Sequence, residues 1–465
     1  MKRILLFLVF VSLPIYSYEL PELGSDVDTV ISDFEEKKIN YQIMKQVYES
    51  NSVITDPEIN DYLISLGNQL EPSNNINYFI VNDPSINAFA MLGSVIGVHS
   101  GLIFSSNTES ELAGVIGHEI AHVTQKHLRR LISVQAKESY KTFLGIAIAL
   151  LAARSNPQLA SGAITAASAS AAQTSLDYTR ENEREADRVG LDIISKAGFD
   201  PKGFADFFNT INKFNEFSTG IAPAYLRTHP LTAERMSDIQ DRIKDQKFFF
   251  RKNSIEFYLV KSKLKVINSD VKKIAEAFKA NINNETYLSY VGELYGYVYS
   301  LIKLRNLDLA RLNMDLIMKE GISSPMIIEL NTNLLLAEGK IDEAKKSYQD
   351  ALNIYPFYRS FIYGLARIYL SENNSHEAIS FLKNYLKNMK DPYFYELLAK
   401  AYSKSENYIL EHESLSDYFY YRYDFQEALT QMHLATKTVD GNFYEKSRVE
   451  YRLKELKREI DLLSD

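Results

Sequence analysis

The run ELAGVIGHEIAHVTQKHL at residues 111–128 places two histidines four residues apart, with a glutamate between them, in a stretch that is otherwise mostly apolar. At 3.6 residues per turn, His118 and His122 stand about 40° apart on one helix face, so both imidazoles reach a common metal ion. Glu119 lies beside them. In sites of this kind the intervening glutamate serves as general base toward an activated water and is not itself a ligand. Val115, Ile116, Ile120, Ala121 and Val123 make the helix largely buried, where charged groups need a partner; the competing reading is a salt-bridged surface helix. The chain has eight histidines and no cysteine. Disulfides, thiolate ligands and a cysteine nucleophile are therefore excluded, and any metal must take imidazoles and carboxylates.

A catalytic zinc needs a third protein ligand. A third histidine ten residues after the first, behind a glycine, is absent, because those positions are Leu128 and Gln125. His127 falls on the opposite face of a continuous helix and reads as a surface histidine or one packed behind the ligands. The ligand must then come from another helix. In TRENEREADRVG (179–190), Glu183 and Asp187 are four apart and share a face, whereas Glu185 points about 160° from Asp187. Glu181 and Glu185 read as solvated charges.

Residues 1–17, MKRILLFLVFVSLPIYS, join a basic start at Lys2 and Arg3 to an apolar run from Ile4 to Leu13, followed by Pro14 and Ser17. This is the pattern of a secretory signal peptide cleaved after Ser17; the alternative, a membrane anchor, needs about 18 to 20 apolar residues. Export predicts a periplasmic or extracellular setting, in which a cysteine-free fold relies on core packing and on a metal. The formal net charge is −8 and no dense Lys/Arg block occurs, so nucleic acid is not an expected partner. With 46% hydrophobic residues over 465 positions, the chain has material for about two globular domains.

From Pro21 to about Leu70 the pattern is helical, with one stripe at Tyr41, Met44, Val47 and Tyr48 and another at Tyr62, Leu63, Leu66 and Leu70. These helices are expected to cover the catalytic core. INYFIVND and SVIGVHSGLIF, within 76–104, read as two or three strands broken by Asn82, Asp83, Pro84 and Gly93. Thr108 is a candidate cap for a helix over 109–133, and a second charged helix is expected from Leu176 to Lys196, ended by Gly198, Pro201 and Gly203. Between them, FLGIAIALLAA (143–153) is too short to cross a bilayer. With the Ser/Ala-rich sequence that follows to Ser175 it reads as a buried helix or flap, or as an element in peripheral contact with a membrane surface.

Beyond about residue 255, strand signals vanish and a helical period begins. In LAEGKIDEAKKSYQDALNIYP, residues Gly339, Ala344, Tyr348, Ala351 and Pro356 are spaced as the second helix and terminal proline of a tetratricopeptide repeat. A shift of 34 residues carries Ala344 forward to Ala378 and back to Ala310, and Tyr348 forward to Leu382. The first helix recurs as Leu365, Ala366 and Tyr369, then as Leu398, Ala399 and Tyr402 one residue short of the period; Ala428 marks a further unit. Such helix pairs stack into a superhelix with a concave face. Val449, Leu453, Leu456, Ile460 and Leu463 close the chain as a capping helix or a short coiled-coil seam. Tyrosines crowd this half, among them Tyr393, Tyr395, Tyr420, Tyr421 and Tyr423, and are expected mostly in the core or groove walls, a few being free to anchor a partner.

HEIAH followed by Glu-x-x-Ala-Asp resembles the gluzincin metallopeptidases that include HtpX and the CAAX prenyl proteases. The resemblance implies a zincin-like α+β domain, endopeptidase activity and one Zn2+ per chain held by His118, His122 and Glu183. It assigns Glu119 as the base and Asp187 as the group that orients a ligand histidine. NAFAMLGSVIGVHSGLI (87–103) resembles the family's strand-turn-strand segment, which puts Asn87, Ala88, Phe89 and Ala90 on an edge strand that pairs with an extended substrate. Leu92-Gly93-Ser94 stands where the family usually has Pro-Gly-Gly. RTHPLTAER (227–235) resembles the Thr-His-Pro element of the soluble periplasmic members, making His229 either a fourth zinc ligand that must swing out or a hydrogen-bond donor to the oxyanion.

The expected architecture is a signal peptide at 1–17, a zinc metalloprotease domain over 18–255 and an all-α tetratricopeptide-repeat superhelix over 256–465. That order resembles the periplasmic members that act as protease and chaperone in outer-membrane protein assembly. It implies protein or peptide substrates and the outer-membrane assembly machinery as partner of the repeats. The competing expectation is a chaperone or adaptor whose zinc is structural or latent; a membrane-embedded processing protease lacks spans of the needed length.

Overall fold

Two N-terminal helices form where their caps dictate. Helix α1 (Asp33–Glu49) opens on a capping box between Ser32 and Glu35, and α2 (Pro57–Leu70) opens on Asp56, whose side chain accepts the amides of Glu58 and Ile59 ahead of a proline in the first turn. The computed structural model describes residues 31–73, 75–135, 169–217, 223–244 and 251–464. The expected signal peptide and the apolar stretch at 143–153 lie outside those residues.

Three strands follow: β1 (Asn77–Val81), β2 (Ala88–Met91) and β3 (Val95–His99), in the order β1-β3-β2. β3 is central, parallel to β1 and antiparallel to β2. Period-two alternation sorts the side chains cleanly. Phe79, Val81, Phe89, Met91 and Val95 meet Ile39, Ile43 and Val47 of α1 on one face, while Tyr78, Ile80, Ala88, Ile96 and Val98 face the main core with Ile59, Leu63 and Leu66 of α2. The turn between β2 and β3 holds Gly93 and Ser94 both in the left-handed region, at φ 78° and 57°. Strand structure stops at His99, short of the expected run to Phe104. There the Asp83 carbonyl accepts from the Gly101 amide and the Ser100 hydroxyl, turning the chain into α3 (Ser100–Ser105).

Helix α4 (Glu109–Thr124) carries HEIAH and is capped by Thr108, whose hydroxyl accepts from the Glu111 amide at 3.1 Å. The single helix expected to residue 133 is broken: Lys126 adopts φ 53°, and α5 (His127–Gln135) starts afresh on a new axis. Helix α6 (Ala169–Lys196) supplies Glu183 and ends at Gly198, φ 75°. Gly203 does not end that helix. It sits in the first turn of α7 (Lys202–Phe217), where a Cβ would stand 2.5 Å from the Ser110 backbone of α4. Helices α8 (Ala224–Thr228) and α9 (Ala233–Lys244) then return over the site.

Helices α4 and α6 pack at unusual closeness because each presents a glycine to the other. A Cβ on Gly190 would lie 3.1 Å from the Cα and N of His118, and one on Gly117 would lie 2.8 Å from the Ile194 side chain.

The chain continues as antiparallel helix pairs: α10 (Ile255–Ile267), α11 (Val271–Asn284), α12 (Tyr290–Lys303), α13 (Leu307–Lys319), α14 (Pro325–Ala337) and α15 (Ile341–Ile354). They are followed by α16 (Arg359–Ser371), α17 (Ser375–Leu386), α18 (Pro392–Lys404), α19 (Tyr408–Tyr420), α20 (Phe425–Lys437) and α21 (Phe443–Ser464). The 34-residue period is visible in the backbone, since left-handed residues recur between paired helices at Arg305, Gly339, Asn373 and, one residue short, Glu406. Ala310, Ala344 and Ala378 are each fully buried on the second helix of a pair, and Ala428 is fully buried on α20. The last helix is a cap: Val449 packs on Ile409, Met432 and Ala435.

The repeats curve back onto the N-terminal helices. Arg359 and Tyr358 of the repeat half bond Asp61 and Glu58 of α2, Lys263 reaches Asp56 and Glu58, Lys45 of α1 meets Asp424 at 2.9 Å, and Arg422 donates to the Tyr48 carbonyl. The main apolar core is continuous across residue 255, from Ile54 to Leu334.

Gly190→Val is expected to push β-branched atoms into the α4 backbone, which cannot yield. Urea denaturation should show a loss of about 1–3 kcal/mol, the usual cost of overpacking, accompanied by loss of bound metal.

Candidate metal centre

Four donors converge from three elements: His118 and His122 of α4, Glu183 of α6 and His229, which caps the end of α8. His118 Nε2 lies 3.0 Å from His122 Nε2, and the Glu183 carboxylate stands 3.4 Å from the first and 3.3 Å from the second. His229 Nδ1 is 3.0 and 3.1 Å from the two Glu183 oxygens and 3.4 Å from His118 Nε2. Ligand atoms about 2 Å from a tetrahedral ion stand about 3.3 Å apart, so this spacing fits a zinc-sized cation.

Polar contacts behind the rings fix which nitrogen each imidazole turns to the centre. Asp187 Oδ1 lies 3.1 Å from His118 Nδ1, leaving Nε2 for a metal. His127 Nε2 lies 3.1 Å from Glu185 Oε2, a carboxylate that can only accept, so Nε2 carries the proton. His127 Nδ1 must then accept from His122 Nδ1, 2.9 Å away, which frees His122 Nε2 as a donor to the ion. Burial, then the neighbouring His122, lowers the His127 pKa to about 4, consistent with a neutral ring.

Charge completes the fit. Burial alone would keep His118 neutral, but Asp187 and Glu183 outweigh it and push its pKa up to about 9 before a metal binds. Burial likewise opposes ionisation of Glu183, yet His229 and the two α4 histidines hold it well below the usual carboxylate range. With the imidazoles neutral, Glu183 and Asp187 leave these buried side chains net negative against the one positive charge of Arg235. A divalent cation answers that surplus of negative charge.

Arg235 is the residue that sequence reasoning missed. It lies in RTHPLTAER, but only the fold shows that α9 delivers its guanidinium beneath the site. It donates to both Asp187 oxygens at 2.7 Å, approaches Glu183 Oε2 at 2.9 Å and donates to the Pro230 carbonyl at 2.8 Å. One side chain thus ties both α6 carboxylates to the loop that bears His229. His127 and Glu185 also differ from expectation. The helix break at Lys126 invalidates the opposite-face argument and turns His127 inward, 3% exposed. Glu185 is partnered by His127 and by Arg130 at 2.6 Å, so only Glu181 stands as a solvated charge.

Glu119 is fully buried beside the donors, and neither of its carboxylate oxygens has a hydrogen-bond partner among the described residues; His229 Nε2 is the nearest cation-forming group, 3.4 Å from Oε1. Tyr225 stacks on His229 with centroids 4.8 Å apart, and its amide donates to the Ile86 carbonyl. That bond anchors α8 to the segment entering β2. Asn87 precedes β2, its carbonyl accepting from the His99 amide, and Ala88 to Ala90 lie on β2, whose outer edge has no strand partner among the described residues.

A buried helix bearing HEIAH, a carboxylate donor from a second helix and a buried glutamate without a hydrogen-bond partner beside them fit a metallopeptidase centre. Residues 57–243 match the model of peptidase family M48, and residues 335–401 match a tetratricopeptide repeat. The chain is 28% identical over 453 residues to the beta-barrel assembly-enhancing protease of Escherichia coli (strain K12), covering 94% of this chain and 91% of that protein. It is 35% identical over 251 residues to a putative beta-barrel assembly-enhancing protease of Vibrio cholerae, covering 53% of this chain and 52% of that one. With metalloprotease YcaL of Escherichia coli it shares 30% identity over 188 residues, 39% of this chain and 68% of that protein. The chain belongs to peptidase family M48.

Arg235→Ala is expected to weaken metal binding by about 10–100-fold, the usual cost of losing a group that orients ligands. Competition with a chromophoric chelator measures this, and Arg235→Lys, unable to bridge two carboxylates, should recover only part of the loss.

Proposed function

We propose that this chain is an exported zinc endopeptidase that cleaves polypeptides in the bacterial envelope and works in outer-membrane protein assembly. Its protease part spans residues 18–255 and its repeat part 256–465. The single observation that carries the hydrolytic reading is Glu119, a fully buried carboxylate with no hydrogen-bond partner among the described residues, held beside a metal-donor set. A structural zinc has no use for such a group.

In the proposed reaction, His118, His122 and Glu183 are the metal ligands, and Asp187, His127 and Arg235 hold them in place. Zinc bound there supplies Lewis acidity toward the scissile carbonyl and acidifies the attacking water. Glu119 takes the proton from that water and passes it to the leaving amine. The open edge of β2 receives the substrate backbone as an added strand, with the outward-turned amides and carbonyls of Ala88 and Ala90 providing the main-chain hydrogen bonds, while Phe89, two residues on from Asn87, bonds toward β3.

His229 supports a resting state that is shut. Its Nδ1 stands at the fourth vertex of the donor set, so the side chain must move before a carbonyl can approach. The same observation favours a second reading, an adaptor whose zinc is latent. Envelope location and the assembly role rest on the signal-like N-terminus and on the names of the long-range relatives. No helix among the described residues is long and apolar enough to cross a membrane.

Glu119→Gln should retain one zinc per chain by elemental analysis while losing casein hydrolysis by at least about 100-fold, the scale of general-base catalysis. Hydrolysis that survives in a clean preparation contradicts the assigned role. His229→Ala should raise activity if the resting site is shut, whereas an activity that stays at zero favours the adaptor.

A further inference from the structure

The β2 edge leads to a second cavity that the proposed reaction does not use. A space of about 740 Å³ opens where three parts of the fold meet. The β2–β3 turn contributes Gly93 and Ser94, the end of α4 just past His122 contributes Val123 and Thr124, and the corner between α19 and α20 contributes Tyr420, Tyr421, Tyr423 and Phe425. Tyr41 of α1 closes the aromatic wall, with its ring 5.1 Å from Tyr423 and 5.4 Å from Phe425. Tyr420, Tyr421, Tyr423 and Phe425 are all half-buried.

We propose that this cavity is a docking groove for the polypeptide under cleavage, taking an aromatic or aliphatic segment a few residues from the scissile bond. The inference rests on the protease reading and extends it to the substrate. Continuity carries it. A chain added to the open edge of β2 runs beside α4, and past Met91 it meets the β2–β3 turn that forms the groove's floor. At about 3.3 Å per residue, four paired residues cover the strand, and the next three or four enter the aromatic wall. The volume suits several side chains, since ligand pockets run from roughly 300 to 1,000 Å³.

The aromatic wall selects an apolar side chain, while the facing side, with Asn40, Asn75, Asn77 and Thr124, is polar and suits the occupant's backbone. The wall offers ring faces that bury large contact area at low entropic cost. The nearby ions are already engaged: Asp33 and Glu36 accept from Arg129, and Lys37 lies over the Tyr41 ring at 5.5 Å. The groove also gives the repeats a defined part in cleavage, because their C-terminal corner forms one side of it. Long, apolar, unfolded chains reach both sites at once; short peptides reach only the cleft.

The test uses the whole mature chain carrying Glu119→Gln, with binding read by fluorescence anisotropy of labelled peptides. A twelve-residue peptide with phenylalanine near one end is expected to bind about tenfold more tightly than a six-residue peptide or a twelve-residue one with serine there. Tyr421→Ala and, separately, Phe425→Leu should each shrink that advantage at least fivefold, while Tyr421→Phe keeps it. A benzophenone photo-crosslinker placed at Tyr421 should label the phenylalanine-bearing end of the long peptide. Equal affinities for all three peptides, or crosslinks at 421 only to this chain itself or to a second copy, overturn the groove. Cleavage of both long and short peptides by the unsubstituted protein without length dependence sinks the groove alone. Length-dependent binding with no cleavage of any peptide, by the unsubstituted protein or by His229→Ala, sinks the protease reading and leaves the groove.

Discussion

Everything at the metal centre depends on the contact between α4 and α6 at Gly117 and Gly190. Two helices with side chains in that position keep their axes about 8–10 Å apart. Here the missing Cβ of Gly190 lets the α6 backbone approach the backbone of His118 directly. Gly190, Asp187 and Glu183 lie three and seven residues apart, nearly one face of α6, so the closeness set at Gly190 is inherited by both carboxylates. Asp187 reaches the back of the His118 ring, and Glu183 reaches its front. A chain that moved α6 outward by one methyl group would lose the third donor and the orienting acid together.

The buried charges extend this contact into a network. Alone, Glu183 and Asp187 would repel each other and shed their charge by taking up protons. Arg235 spans both and ties them to Pro230, next to His229, so the loop carrying the fourth donor is coupled to the helix carrying the third. The centre is therefore a unit in which closing and ligand orientation share one guanidinium. Removing one member of such a set leaves an uncompensated buried charge, at a cost of about 3–5 kcal/mol.

Much of this was legible in the chain. The four-residue spacing of His118 and His122 needs only helix geometry, the Thr108 cap is local chemistry, and the 34-residue period predicts the buried Ala310, Ala344 and Ala378. What failed to show were features set by tertiary packing. Lys126 adopts a left-handed conformation that no propensity assigns to lysine, so the helix break and the inward turn of His127 were hidden. SVIGVHSGLIF carries β-branched and aromatic residues to its end, yet Ser100 starts a helix because a distant carbonyl, that of Asp83, captures the backbone. Arg235 looked like any arginine on an amphipathic helix, and which tyrosines line a groove depends on how far the superhelix curves. Local rules give the elements, and long-range closure gives the site.

The repeats and the protease part meet through α1 and α2, with ion pairs at Lys45, Arg359 and Lys263. The sheet lies between α1 on one face and α2 and α4 on the other, so the cleft edge and the repeat corner belong to one packed body. The central claim, that imidazoles from α4 and a carboxylate from α6 share one ion, is tested most directly by anomalous diffraction at the zinc edge from crystals of the mature protein. The account predicts a single strong peak about 2 Å from His118 Nε2, His122 Nε2 and a Glu183 oxygen. A peak that leaves Glu183 outside coordination distance, or no peak between the two helices from zinc-loaded protein, contradicts it.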